Sequence, residues 1–224
     1  MADQVPVITI DGPSGSGKGT VSQLVADHLG WQMLDSGALY RLVGYAASST
    51  DADFGNENEI SEIASNLKVD FDAGRILLAG ADVTDLIRTE TAGNNASKVA
   101  AMPAVRAALL DWQRDYARSP GLVADGRDMG TTVFPTAGVK FFLTASAEER
   151  AQRRYKQLKE KGLPANLAAL TAEIEERDAR DRSRTASPLV PAADAIEIDS
   201  TVLGIDEVVR IVLQKAHDVY ATAL

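Results

Sequence analysis

Gly12-Pro13-Ser14-Gly15-Ser16-Gly17-Lys18-Gly19-Thr20 is the stretch on which the fold turns. From Gly12 to Lys18 it fits the Walker A pattern, a glycine-rich turn closed by a lysine. The glycines let the backbone curl until successive N–H groups point at one anion. A helix that starts at the end of the loop aims its positive terminus at the same place. Lys18 is then placed to reach the outer phosphates of a bound nucleotide. The flanks agree with this reading. Residues 5–10, Val-Pro-Val-Ile-Thr-Ile, are rich in β-branched side chains and read as a short buried strand. Val21, Leu24, Val25 and Leu29 recur at helical spacing over residues 20–29, and Gly30 is placed to end that helix. Strand, glycine turn and helix in this order predict the opening of an α/β domain.

One departure bears on the metal. The Ser or Thr that usually follows the lysine is Gly19 here, with Thr20 behind it. A direct hydroxyl ligand to Mg²⁺ is therefore not expected at position 19. The expectation is a Mg²⁺ held mainly by nucleotide oxygens and water, which suits an ion reluctant to dehydrate. The Gly-Lys-Gly-Thr form is similar to the phosphate loop of the nucleoside monophosphate kinases. No Asn-Lys-x-Asp run of the guanine-specific GTPases occurs.

Outward from the loop, short apolar strands alternate with helical patterns, which predicts a mostly parallel sheet covered by helices on both faces. Residues 32–34, 122–124, 139–144 and 195–198 read as further strands. One helix is expected from 97 to about 117. A capping box at Ser146-Ala-Glu-Glu149 opens another, which runs to Gly162 before Pro164. Helices over 167–183 and 205–220 follow. Residues 67–71 and 75–78 break the alternation. They read as a hairpin turning at Asp72-Ala73-Gly74, after a short helix near 60–67 and before a third strand near Val83. The expected division is a core of residues 1–40, 97–149 and 169–224, an insert over 41–96 and a lid over 150–168.

Three further groups of polar residues lie where chemistry belongs. Asp125-Gly126-Arg127-Asp128 follows the 122–124 strand, and ligands of open α/β sheets bind beyond the carboxyl ends of strands. Arg127 is placed to grip a phosphate there, and Asp125 to orient metal-bound water. Asp35-Ser36-Gly37, with Arg41 on the next helix, occupies a second strand end. Arg150, Arg153 and Arg154 share a helix face, as do Arg177, Asp181 and Arg184. For the second of these faces, an ion pair within the helix is the competing reading. Arginine suits phosphate because its planar fork binds two oxygens at once.

Composition sets bounds. The chain has 224 residues, a formal charge of −9 and no cysteine. Disulfide frameworks and thiolate metal sites are thereby excluded, and binding to duplex nucleic acid through a broad basic surface is disfavoured. Residues 150–184 nevertheless hold ten Lys and Arg against six Asp and Glu. That surplus suits a local anionic ligand, although a solvated, salt-bridged surface explains it as simply. No leader pattern and no apolar run long enough to span a bilayer are read. The expectation is a cytoplasmic monomer with no membrane or nucleic-acid partner. His28 and His217 receive no role, and Trp31 and Trp112 are read as packing residues.

Taken together, the phosphate loop, Asp35-Ser-Gly-Ala-Leu-Tyr-Arg41, Ala124-Asp-Gly-Arg-Asp-Met-Gly130 and Asp178-Ala-Arg-Asp-Arg182 resemble the bacterial cytidylate kinases over nearly the whole chain. The resemblance implies a P-loop NTP hydrolase-like fold: a five-stranded parallel sheet flanked by helices, an antiparallel NMP-binding insert and an Arg-rich lid. It implies transfer of the ATP γ-phosphoryl group to CMP, and to dCMP, with Mg²⁺. Lys18 and the backbone of Gly12 to Thr20 would hold ATP. Arg41 and Arg127, with Ser14 and Ser36, would hold the acceptor phosphate. Ser97, Arg106, Asp128 and Arg184 would read the cytosine edge, and Arg177 and Asp181 the ribose. Arg154, with Arg150 or Arg153, would close over the phosphates. Two alternatives stand beside this: a kinase for another small acceptor such as UMP, and a non-catalytic nucleotide-dependent switch. The switch has no need of the second phosphate pocket that Arg41 suggests.

Overall fold

The computed structural model describes residues 5–72 and 75–221. The chain forms two compact units, one built from Met1–Asp35 and Tyr116–Leu224, the other from Ser36–Asp115. In chain order the first unit opens with β1 (Val7–Asp11), α1 (Lys18–Leu29) and β2 (Gln32–Asp35). The second unit comprises α2 (Ser36–Ser49), α3 (Glu57–Ser65), β3 (Val69–Asp72), β4 (Arg75–Leu78), β5 (Ala81–Asp82), α4 (Glu90–Val99) and α5 (Pro103–Asp115). The first unit resumes with β6 (Leu122–Gly126), β7 (Val139–Thr144), α6 (Ala147–Glu160), α7 (Leu167–Arg182), β8 (Ile196–Asp199) and α8 (Ile205–Tyr220).

The five strands of the first unit form one sheet in the order β2-β6-β1-β7-β8, and every pairing is parallel. β1 lies at its centre with all five residues buried, the polar Thr9 and Asp11 along with the apolar Ile8 and Ile10. Ile8 and Ile10 pack with Val21 and Val25 of α1, Phe141 and Leu143 of β7, and Val208 and Val212 of α8. At the amino ends of the strands, the Tyr220 hydroxyl donates to Val7 O at 2.7 Å and accepts from Gly138 N at 3.0 Å. At the carboxyl ends, register sets Asp11 beside Gly126 and Asp35 beside Asp125. Acids on neighbouring strands thus finish at one edge of the sheet. Trp31 is buried in this core, as a packing residue should be.

In the second unit β3, β4 and β5 form the expected antiparallel sheet, with Phe71 opposite Ile76. The Phe71 ring lies 6.1 Å from Trp112. Ala73 and Gly74 of the expected turn lie outside the described residues. Leu39, Leu42, Val43, Ile60, Val99 and Val105 are buried. The unit is wider on both sides than the insert expected over 41–96. The single helix expected from 97 to about 117 is two, because Pro103 cannot donate within a helix and pushes Met102 out of the helical region. Pro103 instead starts α5, where its missing N–H costs nothing. No described helix is long and apolar enough to cross a membrane.

Candidate active site

α1 begins at Lys18 with Gly17 as its N-cap, so no side chain caps it, and its first turn holds no acid. Elsewhere Thr89, Ser146 and Asn166 accept first-turn amides of α4, α6 and α7, the Ser146 bond being the one its capping box predicts. The bare start of α1 offers its positive end to an anion. Three carbonyls of the preceding loop are each taken by a side-chain donor. Lys18 Nζ donates to Pro13 O at 3.1 Å, Arg150 Nη1 to Ser14 O at 3.0 Å, and Ser200 Oγ to Ser16 O at 3.1 Å. Holding the carbonyls this way leaves the N–H groups for a phosphate. The path requires glycine. A β-carbon on Gly12 would stand 2.0 Å from Leu143 O, and Gly15 turns at φ +79° against Arg150. The Ser16 hydroxyl is buried and has no protein partner.

Lys18 is buried, with Nζ 3.8 Å from Asp125 Oδ1. Burial, with Arg127 and Arg177 nearby, pulls its pKa down to about 8, against the pull of Asp125 and Asp35. Burial pushes Asp125 up to about 6, which Lys18 partly offsets. A β-carbon at Gly19 would lie 3.2 Å from Asp125 Oδ2. The missing hydroxyl of the phosphate loop is therefore faced by a carboxylate. Asp11, next to the loop, accepts Met129 N and Gly130 N, each at 2.8 Å. Burial raises its pKa to about 7 despite these bonds, with Asp128 and Asp125 adding to the rise. This carboxylate ties β1 to the turn that follows Arg127 and Asp128.

Asp181 gathers arginines. Arg127 Nε donates to Asp181 Oδ2 at 3.0 Å, and Arg184 pairs with the other oxygen. Burial opposes its charge, yet Arg127, Arg184 and Arg177 together hold its pKa below the usual carboxylate value. Arg184 lies beyond the end of α7 at Arg182, so its pair with Asp181 is not the helix-face contact expected, and Arg127 comes from a distant strand end; the site is more than an intrahelical ion pair. Asp128 is buried beside this cluster in sequence.

On α6 the three arginines part company. Arg150 is buried and forms a two-bond pair with Asp178 of α7. Arg153 donates to Ser200 O at 2.6 Å and to Glu149 Oε1 at 2.9 Å. Both are engaged with the scaffold, so neither is the mobile partner expected to join Arg154. Arg154 is half-buried on the same helix.

In the second unit, Ser36 is buried at the start of α2, and Arg41 donates to Ile87 O at 2.7 Å and Thr89 O at 3.1 Å. Ser97 is buried on α4. Arg106 of α5 lies 5.4 Å over the Tyr40 ring and donates to Ala100 O at 3.1 Å.

With this geometry in hand, comparison with known proteins is decisive. A family model described as cytidylate kinase matches residues 8–218. The chain belongs to the cytidylate kinase family. It is 57% identical over 219 residues to the cytidylate kinase of Shewanella sp. (strain MR-4), covering 95% of each chain. It is 57% identical to that of Stutzerimonas stutzeri (strain A1501), covering 97% of this chain and 98% of the relative. Against the cytidylate kinase of Shewanella sp. (strain W3-18-1) the identity is 54%, with full coverage of both.

Within this cytidylate kinase fold, sequence reasoning missed Asp11 and Asp178. Asp11 stood one residue before the motif, but its partners are far along the chain. Asp178 lies within the Asp178–Arg182 motif, but nothing in its spacing points to Arg150. As for a metal, the described residues contain no cluster of three or more His, Cys, Asp or Glu suited to a protein-only site. The donors present, Asp125 and the neighbouring Asp35, fit a Mg²⁺ whose shell is completed by nucleotide and water.

Proposed function

We propose that this enzyme transfers the γ-phosphoryl group of ATP to the phosphate of CMP, and of dCMP, giving ADP and CDP or dCDP. Family membership gives the substrate class. The arginine cluster of Arg127, Arg177 and Arg184 around Asp181 is the observation that carries the mechanism. It supplies a second anion site close enough to the phosphate loop for Arg127 and Arg177 to bear on the Lys18 charge. A nucleotide switch has no use for that second site.

In this reading, the loop amides and the start of α1 hold the β- and γ-phosphates, and Lys18 follows the charge of the transferring group. Arg127 and Arg41, with Ser14 and Ser36, hold the acceptor phosphate in line. Ser97, Arg106, Asp128 and Arg184 read the cytosine, while Arg177 and Asp181 hold the ribose. Arg154 and the stretch after it to residue 168 close over the phosphates and keep water out, while Arg150 and Arg153 stay anchored. Asp125, with the neighbouring Asp35, would orient the water shell of a Mg²⁺ bound with ATP, which would offset charge on the phosphates. The attacking atom is already an anionic oxygen, so no general base is required. In this reading the enzyme works as a monomer in the cytoplasm. Purified enzyme with MgATP and each monophosphate in a coupled ADP-release assay tests the reading. Turnover with CMP is expected; turnover with UMP alone would move it to another pyrimidine kinase.

A further inference from the structure

The donor loop and α7 are joined by one buried side chain. Arg150 sends Nη1 to Ser14 O at 3.0 Å and also to Asp178 Oδ1 at 3.1 Å, Nη2 to Asp178 Oδ2, and Nε to Ala145 O at 2.9 Å. Arg150 and Asp178 are both at least nine-tenths buried. Gly15 passes so close that a β-carbon there would lie 3.3 Å from the Arg150 Cβ. A guanidinium spends its donors this completely only where its plane is fixed, and a two-bond carboxylate fixes it. Asp178 stands between Arg177 and Asp181 on α7, the helix assigned above to the acceptor nucleotide.

We propose that Arg150 and Asp178 act as positioning residues that hold the phosphate loop in its nucleotide-binding shape, Asp178 acting only through Arg150. The Ser14 carbonyl must stay turned away from the anion for the neighbouring amides to face it. Arg150 supplies the donor that keeps it there, and Asp178 fixes where that donor points. ATP affinity thereby depends on a carboxylate of α7 that makes no described hydrogen bond to the phosphate loop. The inference rests on the loop being the ATP site. Loss of all nucleotide binding by the unmodified enzyme would defeat that reading, whereas the variants below address only the strut.

The test is titration of the non-hydrolysable analogue AMP-PNP, with Mg²⁺, into the full chain and three variants: Asp178→Asn, Arg150→Lys and both together. Circular dichroism and thermal melting establish that each is folded. Asp178→Asn should weaken binding about tenfold or more, within the range set by loss of a preorganising hydrogen-bonded charge pair. The double variant should bind no worse than the weaker single one, because both act along one path. Unchanged affinity in folded Asp178→Asn, whatever its melting temperature, overturns the proposal, as do losses that simply multiply in the double variant. Should a single variant fail to fold, Arg150→Met with Asp178→Leu removes both charges and leaves neither unpaired. That pair should fold and still lose at least tenfold in AMP-PNP affinity. Wild-type affinity in it would overturn the proposal.

Discussion

The Lys18 ammonium, at the start of α1, lies 3.8 Å from the Asp125 carboxylate near the carboxyl end of β6, and both groups are buried. Neither charge is comfortable alone. Burial drives Lys18 down to about 8 and Asp125 up to about 6, and each opposes the shift of the other. The pair keeps a cation available at the phosphate loop near neutral pH.

Lys18→Ala removes that cation. kcat should fall by about 10²–10³-fold, the usual cost of losing one electrostatic stabiliser of the transition state. Thermal melting should move far less, since Asp125 can take up a proton once its partner is gone. Steady-state kinetics beside a melting curve checks both parts, and normal turnover would remove Lys18 from the mechanism.

The same pair gives a pH signature. Lys18 must be protonated to serve phosphate, so kcat/KM for ATP should fall on the alkaline side with an apparent pKa near 8. Asp125 raises that value, so Asp125→Asn should move the alkaline limb to lower pH. Stability runs the other way. The folded pKa lies below the unfolded value of about 10.4, so the unfolded chain binds more protons between the two. The Lys18 contribution to stability is then present above the unfolded pKa and lost as pH falls through about 8. A pH–rate profile of both proteins decides the sign.

Asp181→Asn leaves Arg127 and Arg184 facing an amide instead of a carboxylate. Stability should drop by about 3 kcal/mol, as for a buried pair deprived of one partner. KM for CMP should rise more than KM for ATP. Urea unfolding and kinetics with each substrate varied in turn measure the two effects. An equal change in both constants would argue against an acceptor-side role.

Arg184→Met should erode discrimination among pyrimidine monophosphates, because a site built to hydrogen-bond one base edge rejects others through polar groups left unpaired. The ratio of kcat/KM for CMP to that for UMP is the readout. An unchanged ratio removes Arg184 from base reading.

How much of this was legible beforehand depends on the range of each interaction. The phosphate loop was readable because its demands are local: Gly12 and Gly15 occupy backbone positions that a β-carbon would spoil, and Lys18 opens the helix. The parallel sheet followed from strand and helix alternation. Apolar periodicity runs on across Pro103 and predicts one helix, whereas the proline divides it into α4 and α5. The arginines of α6 show the limit. Spacing places Arg150, Arg153 and Arg154 on one face, but which of them is buried depends on what packs there. Asp178 of α7 claims Arg150, and Ser200, after β8, claims Arg153. Asp11 was illegible for the same reason, since its role is set by amides more than a hundred residues away.

Tyr220→Phe separates stability from activity. Its hydroxyl bonds Val7 and Gly138 at the amino ends of β1 and β7, opposite the site. Losing two hydrogen bonds should cost about 2 kcal/mol, with kcat unchanged. Urea unfolding with a parallel rate assay checks it, and a large fall in kcat would mean the strand ends communicate.

The central claim meets its most direct test in a coupled ADP-release assay with MgATP against CMP, dCMP, UMP, AMP and GMP. Strong turnover with CMP and dCMP, weaker turnover with UMP and little with the purine monophosphates is the expected pattern. No turnover with any of the five, by folded protein that still binds ATP, would contradict it.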